Sequence, residues 1–200
     1  MLGQTNVKVK PKKRIIIDYV DYIESTGTQY IDTGVIVTGT TGFSIDMEYY
    51  AGTRILGVAN TSWSRGIVVT HEGSCYRNGS YNAIDFTGDT SIFTIGERVS
   101  FSLINNEYTD IHGNTGSMVS TSFTSNGTLA LFALRYNGSI ETNTMASIKL
   151  RNFKVYDGNT VTRDYKPVKD GAGVYCLYDE FEKRYYYNQG SGEFLGGASI

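Results

Sequence analysis

Residues 43–50 read Phe-Ser-Ile-Asp-Met-Glu-Tyr-Tyr, and this order leaves the chain little choice. Apolar Phe43, Ile45, Met47 and Tyr49 alternate with polar Ser44, Asp46 and Glu48. Side chains on a β-strand point to opposite faces in turn, so a period of two makes a strand with one buried face and one solvent face. Val99, Phe101 and Leu103 alternate with Ser100 and Ser102 in the same way. The run Thr128–Arg135, "TLALFALR", is apolar at both parities, which places it centrally in a sheet.

The segment "SIKLRNFKVYD" carries a phase break. Ile148 and Leu150 share one parity, Phe153 and Val155 the other. A regular strand cannot bury both pairs on one side, so one extra residue, a β-bulge near Arg151 or Asn152, is expected. Turn signals separate the strands. Asn78-Gly79, Asn126-Gly127, Asn137-Gly138 and Asp157-Gly158 supply residues that tolerate positive φ, as type I′ hairpin turns require, and "HGNTG" at 112–116 is another turn. Many short antiparallel strands follow, hence a two-sheet sandwich or jelly roll. No helix longer than two turns and no internal repeat is expected.

A length of 200 residues suits one domain, assigned to 15–200, preceded by a basic extended arm at 1–14. The arm carries Lys8, Lys10, Lys12, Lys13 and Arg14 with no acid before Asp18, and Pro11 disfavours helix there. It reads either as a solvated tail or as a docking arm for an acidic partner surface. The alternation of Val7 and Val9 with Lys8 and Lys10 suits a strand added to a neighbour's sheet edge. The net charge of −2 points away from nucleic acid as a partner. No apolar run approaches the roughly 20 residues of a spanning helix, so no membrane partner is expected. No apolar stretch follows the basic N-terminus as in a secretory signal. Either a leader is missing from the sequence or the protein reaches its place without export. Cys75 and Cys176 match no metal spacing and read as two free thiols, with a long-range disulfide as the alternative.

The stretch "YIESTGTQYIDTGV" (22–35) divides into a strand Tyr22-Ile23-Glu24, a turn Ser25–Thr28, and a second strand Gln29–Thr33 ended by Gly34. It holds no nucleophile paired with a base, so it reads as scaffold. Together with the C-terminal run "IKLRNFKVYDGNTVTRDYKPVKDGAGVYCLYDEFEKRYYYNQGSGEFLGG", it resembles the concanavalin-A-like (laminin-G-like) jelly-roll lectin/glucanase superfamily, in a branch common in gut bacteria and their phages. The resemblance covers about Val20 to Gly197, with Cys176 where a small residue such as Gly is usual. It implies an all-β, antiparallel two-sheet β-sandwich of concanavalin-A-like jelly-roll form. It leaves activity open, because this fold hosts enzymes, lectins and structural modules.

Glucanases of that superfamily carry carboxylates at alternate positions, roughly E-x-D-x-E, on one strand. The nearest match is Ser44-Ile45-Asp46-Met47-Glu48, with serine where the nucleophile would stand. Retaining glycoside hydrolysis needs two carboxyls about 5–5.5 Å apart. No catalytic residue is therefore assigned. His71 and His112 read as structural or solvated. Glycan binding is the better-supported chemistry: Trp63 and Arg65 in "NTSWSRG", with Tyr76, Arg77, Asn78, Tyr81 and Asn82 in "CYRNGSYN", offer rings and polar groups. The plainer reading packs Trp63 between the sheets and leaves the Asn-Gly pairs as turns. Asp85 and Asp89 are the residues a Ca²⁺ ion would use in a laminin-G-like domain, but scattered acids make no loop signature, and no metal or other cofactor is assigned. Tyr185-Tyr186-Tyr187 reads as packing first and as a protein-contact surface second.

The resulting expectation is a non-enzymatic phage virion protein: a capsid decoration, head-fibre or tail protein assembled in the host cytoplasm. Its arm would bind other virion proteins, and copies would associate through sheet edges or Tyr-rich faces. Its exposed face would contact host polysaccharide. The alternative is a carbohydrate-binding module of a bacterial surface or secreted protein. Against that alternative stand the chain's own methionine and an arm that reads as native.

Overall fold

A computed structural model describes residues 17–78, 83–87, 92–119 and 121–200. Among these, the chain forms two facing sheets and one short 3-10 turn, Thr61–Trp63. The larger sheet has eleven strands. Its main path runs Thr115–Ser117, Glu107–Thr109, Arg98–Ile104, Thr41–Ala51, Ser147–Asp157, Thr160–Lys169, Tyr175–Asp179 and Arg184–Tyr186. The smaller has eight strands, centred on Arg54–Ala59, Ile67–Thr70 and Ser74–Arg77, with Thr124–Leu131 bridging Arg54–Ala59 to Ile31–Thr38. Its ladders are antiparallel except where Arg135–Tyr136 lies parallel to Arg54–Ala59. The two-sheet antiparallel sandwich read from the alternation is therefore present.

The alternation also assigns the faces. Phe43, Ile45, Met47 and Tyr49 point inward, as do Val99, Phe101 and Leu103, and all are at most 6% exposed. They meet Ile31, Ile55, Val58, Ile67, Val69 and Leu131 of the smaller sheet in one core. Phe43 packs edge-on against Phe86 at 5.9 Å and Phe101 at 6.2 Å between ring centroids. Each such ring contributes roughly 1.5–3 kcal/mol by leaving water, and the edge-to-face contacts add to that. In Thr128–Arg135 the six residues Leu129–Leu134 are all buried, but the central strand expected there ends at Leu131, and Phe132, at φ 67°, turns the chain before Arg135–Tyr136.

The phase break resolves as a bulge. Leu150 pairs with Met47 and Asn152 with Asp46, so Arg151 is the extra residue. Ile148, Leu150, Phe153 and Val155 consequently all enter the core. Asn137-Gly138 forms the two-residue turn of a hairpin, with φ of 49° and 84°. Two turn expectations need correction. Asn126-Gly127 lies inside the strand Thr124–Leu131, at a register shift rather than a reversal. Its glycine leaves room for the stem of Arg135, whose Cδ would sit 2.7 Å from an added Cβ. Gly34 does not end its strand, which runs from Ile31 to Thr38. Its φ of 71° makes an irregularity within it.

The stretch 22–35 is scaffold of a specific kind. Gln29, 2% exposed, accepts the Thr26 backbone N–H at 2.8 Å and donates to the Glu193 carbonyl at 3.1 Å. Tyr30 N–H donates to Asn188 Oδ1, Gln189 N–H to the Tyr30 carbonyl, and Ser191 N–H to the Thr28 carbonyl. Gly190 is required there, since a Cβ would come within 2.1 Å of the Thr28 oxygen. The two segments that carry the family resemblance are thus bonded to each other across the chain. Cys75 and Cys176 are free and buried, and burial pushes each thiol up to about 12. The basic arm, Lys8 to Arg14, lies outside the described residues.

Candidate functional site

The strand Ser74–Arg77 sends its side chains two ways. Cys75 and Arg77 point into the sandwich; Tyr76 points to the outer face of the smaller sheet. There it meets Trp63 edge-on, with ring centroids 4.7 Å apart. Both pack on Ala59, Val68 and Leu134, joined by Tyr136. Trp63 is therefore outside the inter-sheet core, on the far side of the smaller sheet. The Arg54 guanidinium lies 4.6 Å from its ring centre, a cation–π contact, and pairs with Glu141 at 3.7 Å.

Three residues of this patch hold left-handed backbone: Trp63 at φ 59°, Arg65 at 50° and Asn78 at 53°. For residues with a Cβ this conformation is costly, and a tryptophan there is an outlier. Local bonds hold it. Arg65 N–H donates to Asn78 Oδ1 at 2.9 Å, and Asn78 N–H donates to the Gly66 carbonyl at 2.9 Å. Asn60 N–H donates to the Ser64 carbonyl at 2.8 Å, closing the loop that carries Trp63. Strained residues clustered on one outer face are a pointer to a functional site.

The structure thus brings Trp63, Arg65, Tyr76 and Asn78 together and adds Arg54 and Tyr136, for which the sequence carried no signal beyond strand parity. Tyr81 and Asn82 lie outside the described residues. Arg77 is corrected: at 1% exposure it faces the core and offers a glycan nothing. Its guanidinium donates to the carbonyls of Gly39 and Thr41 and to Asn106 Oδ1, tying three segments together. Burial lowers its pKa, and no carboxylate is bonded to it among the described residues.

The outer face of the larger sheet differs in kind. Ser44, Asp46 and Glu48 line it as the alternation predicts, but Glu48 is only 9% exposed, so this is no plain solvent face. Asp46 is held by Arg98 in a two-pronged pair, Nε at 3.0 Å and Nη2 at 2.7 Å. The bulged Arg151 reaches both Glu48 and Asp21, Lys149 lies 3.6 Å from Glu48, and the Tyr50 hydroxyl donates to Glu48 at 2.7 Å. Burial pushes the Glu48 carboxyl up, but the hydrogen bonds from Arg151 and Tyr50 and the nearby positive charges outweigh it, so its pKa falls below the usual range. Two adjoining polar grooves, about 350 and 390 Å³, share Asp46 and Asn152 on this face.

Asp85 accepts the Thr87 backbone N–H at 2.8 Å and the Thr87 hydroxyl at 2.7 Å; Asp89 lies outside the described residues. Among the described residues no cluster of three or more His, Cys, Asp or Glu is placed to hold a metal. His71 stacks obliquely on Tyr49 at 6.2 Å, and His112 sits in the loop bonded to Asp110. Among the described residues no helix is long and apolar enough to cross a membrane. No family model, curated protein or solved structure matches this chain.

Proposed function

We propose that this chain is a non-enzymatic attachment protein: a phage virion component with a lectin-like, concanavalin-A-like jelly roll. Its basic N-terminal arm binds other virion proteins, and its half-buried aromatic patch on the outer sheet face binds host-surface glycan. The observation that carries the glycan part is Trp63 and Tyr76, set together on an outer sheet face by strained, hydrogen-bonded loops, with the Arg54 guanidinium over one face of the Trp63 ring. Aromatic faces take the C–H side of a sugar ring, and flanking Arg and Asn take its hydroxyls. Weak single contacts become firm adhesion when many copies act together.

The non-enzymatic part is supported by the state of the two alternate acids. Glycoside hydrolysis needs one carboxyl kept protonated near neutral pH. Glu48 is driven the other way, and Asp46 is clamped by Arg98. The virion part rests on the family resemblance and on the basic arm. Glycan-array binding that Trp63→Ala abolishes tests the lectin reading; no binding by the unmodified chain overturns it. Deleting residues 1–14 should prevent incorporation into particles, and unchanged incorporation removes the arm from the proposal. The second reading, a carbohydrate-binding module of a bacterial surface protein, shares the same patch. Capsid and portal genes beside this one favour the first; polysaccharide-utilisation genes favour the second.

A further inference from the structure

A second cleft, about 500 Å³, opens on the same outer face of the smaller sheet. Tyr30 and Ile140 form its apolar wall, packed with the buried Met145 on Ala130 and Ala133. Gln189 and Ser191 line it from the C-terminal segment, and Thr142 from the segment that carries Ile140. These three side chains are exposed and have no hydrogen-bond partner among the described residues. No carboxylate, guanidinium or ammonium lines the cleft, whereas Asp46, Arg98, Arg151 and Lys166 line the groove on the larger sheet.

The cleft is also rigidly built. Its polar wall is the C-terminal segment bonded to Thr28 and Tyr30, and its apolar wall is tied down by the Thr53 and Arg54 N–H groups, both donating to the Thr144 carbonyl. Arg54 links it to the aromatic patch. Its guanidinium contacts Trp63 on one side, and its ion pair with Glu141 on the other reaches the segment that supplies Ile140 and Thr142.

We infer that this cleft is a second saccharide subsite, continuous with the Trp63 patch, and that the ligand is an extended, neutral oligosaccharide rather than a single terminal or acidic sugar. The inference rests on the lectin reading above but places contact at different residues. An uncharged cleft with one apolar and one hydroxyl-and-amide wall matches a neutral sugar unit, which shows a C–H face and a rim of hydroxyls. A free cation would be needed to recognise a uronate within the cleft, and none lines it.

Titration calorimetry of the full chain would use neutral glucan, mannan, galactan and xylan oligosaccharides of increasing length, with oligogalacturonates as charged controls. One neutral series should bind and gain affinity with length. Tyr30→Ala should lower the affinity of the long oligomer roughly tenfold, about 1.4 kcal/mol, and erase the gain with length. Gln189→Ala, which removes an exposed side chain and leaves the core untouched, should act in the same direction; thermal melts confirm that both variants fold. A length gain that survives both substitutions overturns the inference, as does binding of oligogalacturonates alone. If Trp63→Ala removes binding while the Tyr30 and Gln189 variants bind as the unmodified chain does, the subsite falls and the lectin reading stands. If no oligosaccharide binds the unmodified chain, both fall.

Discussion

The two outer faces of the sandwich are built differently: the larger sheet's strands alternate buried and polar positions, whereas the central strands of the smaller sheet are buried on both sides. On the larger sheet the outward positions carry charges, and those charges are consumed internally: Asp46 by Arg98, Glu48 and Asp21 by Arg151. On the smaller sheet the outward positions carry rings and small apolar groups, and the polar side chains at its rim keep their hydrogen-bonding capacity. A face whose charges already satisfy one another has little to gain from a ligand, since binding must first break pairs that water cannot readily replace. A face with rings and unengaged amide and hydroxyl groups gains from each contact.

Substitutions test this contrast, beginning with the largest expected effect. Arg77→Ala removes a fully buried guanidinium from the inner side of the strand that shows Tyr76 outward. It leaves a cavity and three oxygens short of a donor, so a loss of about 3–5 kcal/mol is expected in denaturant titration. Tyr76→Ala on the next residue should cost well under half of that and instead reduce glycan binding. Equal losses from the two would break the distinction between inner and outer faces. Arg151→Ala should cost about 2–3 kcal/mol, between the values of exposed and fully buried pairs, because Glu48 and Asp21 lose their shared partner. It should leave glycan affinity unchanged; a drop would show that the larger sheet's face contacts ligand after all.

Acid and alkali probe the same faces. Glu48, Glu180 and Glu182 have depressed pKa values, so the stability they contribute is present above their ordinary value of 4.5 and is lost as pH falls through the folded-state values. Arg151→Ala should flatten that acid limb of a stability–pH curve. Tyr19 is raised to about 12, first by its hydrogen bond to Glu180 and then by burial. Its contribution is complete below the ordinary value of 10.0 and is lost as pH rises through about 12; Tyr19→Phe should shallow that alkaline limb. The smallest change is expected from Arg98→Ala. Its side chain is 60% exposed, and removing it should cost less than about 1 kcal/mol.

Much of this was legible from residue order. The buried faces of 43–49 and 99–103, the burial of 129–134, a bulge near Arg151 or Asn152 and the Asn137-Gly138 turn follow from parity and φ preference alone. The misreadings have local causes. Asn126-Gly127 carries a turn signal, yet the strand runs through it, because the glycine is needed to let the Arg135 side chain cross. Gly34 is a kink within a longer strand, because Ile31–Thr38 is paired along its length by Thr124–Leu131. Arg77 sits among polar and aromatic neighbours that suggest a surface, but the parity of Cys75 turns it inward, where carbonyl oxygens from two other segments accept its protons.

By itself, the order of residues determined the strands, which side of each faces the core, and the absence of long helices among the described residues, because strand geometry forces side chains to alternate whatever surrounds them. Only the tertiary structure decided which outward positions are spent and which remain open. Arg151 meets Glu48 and Asp21, and Tyr30 meets Gln189, across more than a hundred residues of chain, and such meetings depend on sheet order and register rather than on local pattern.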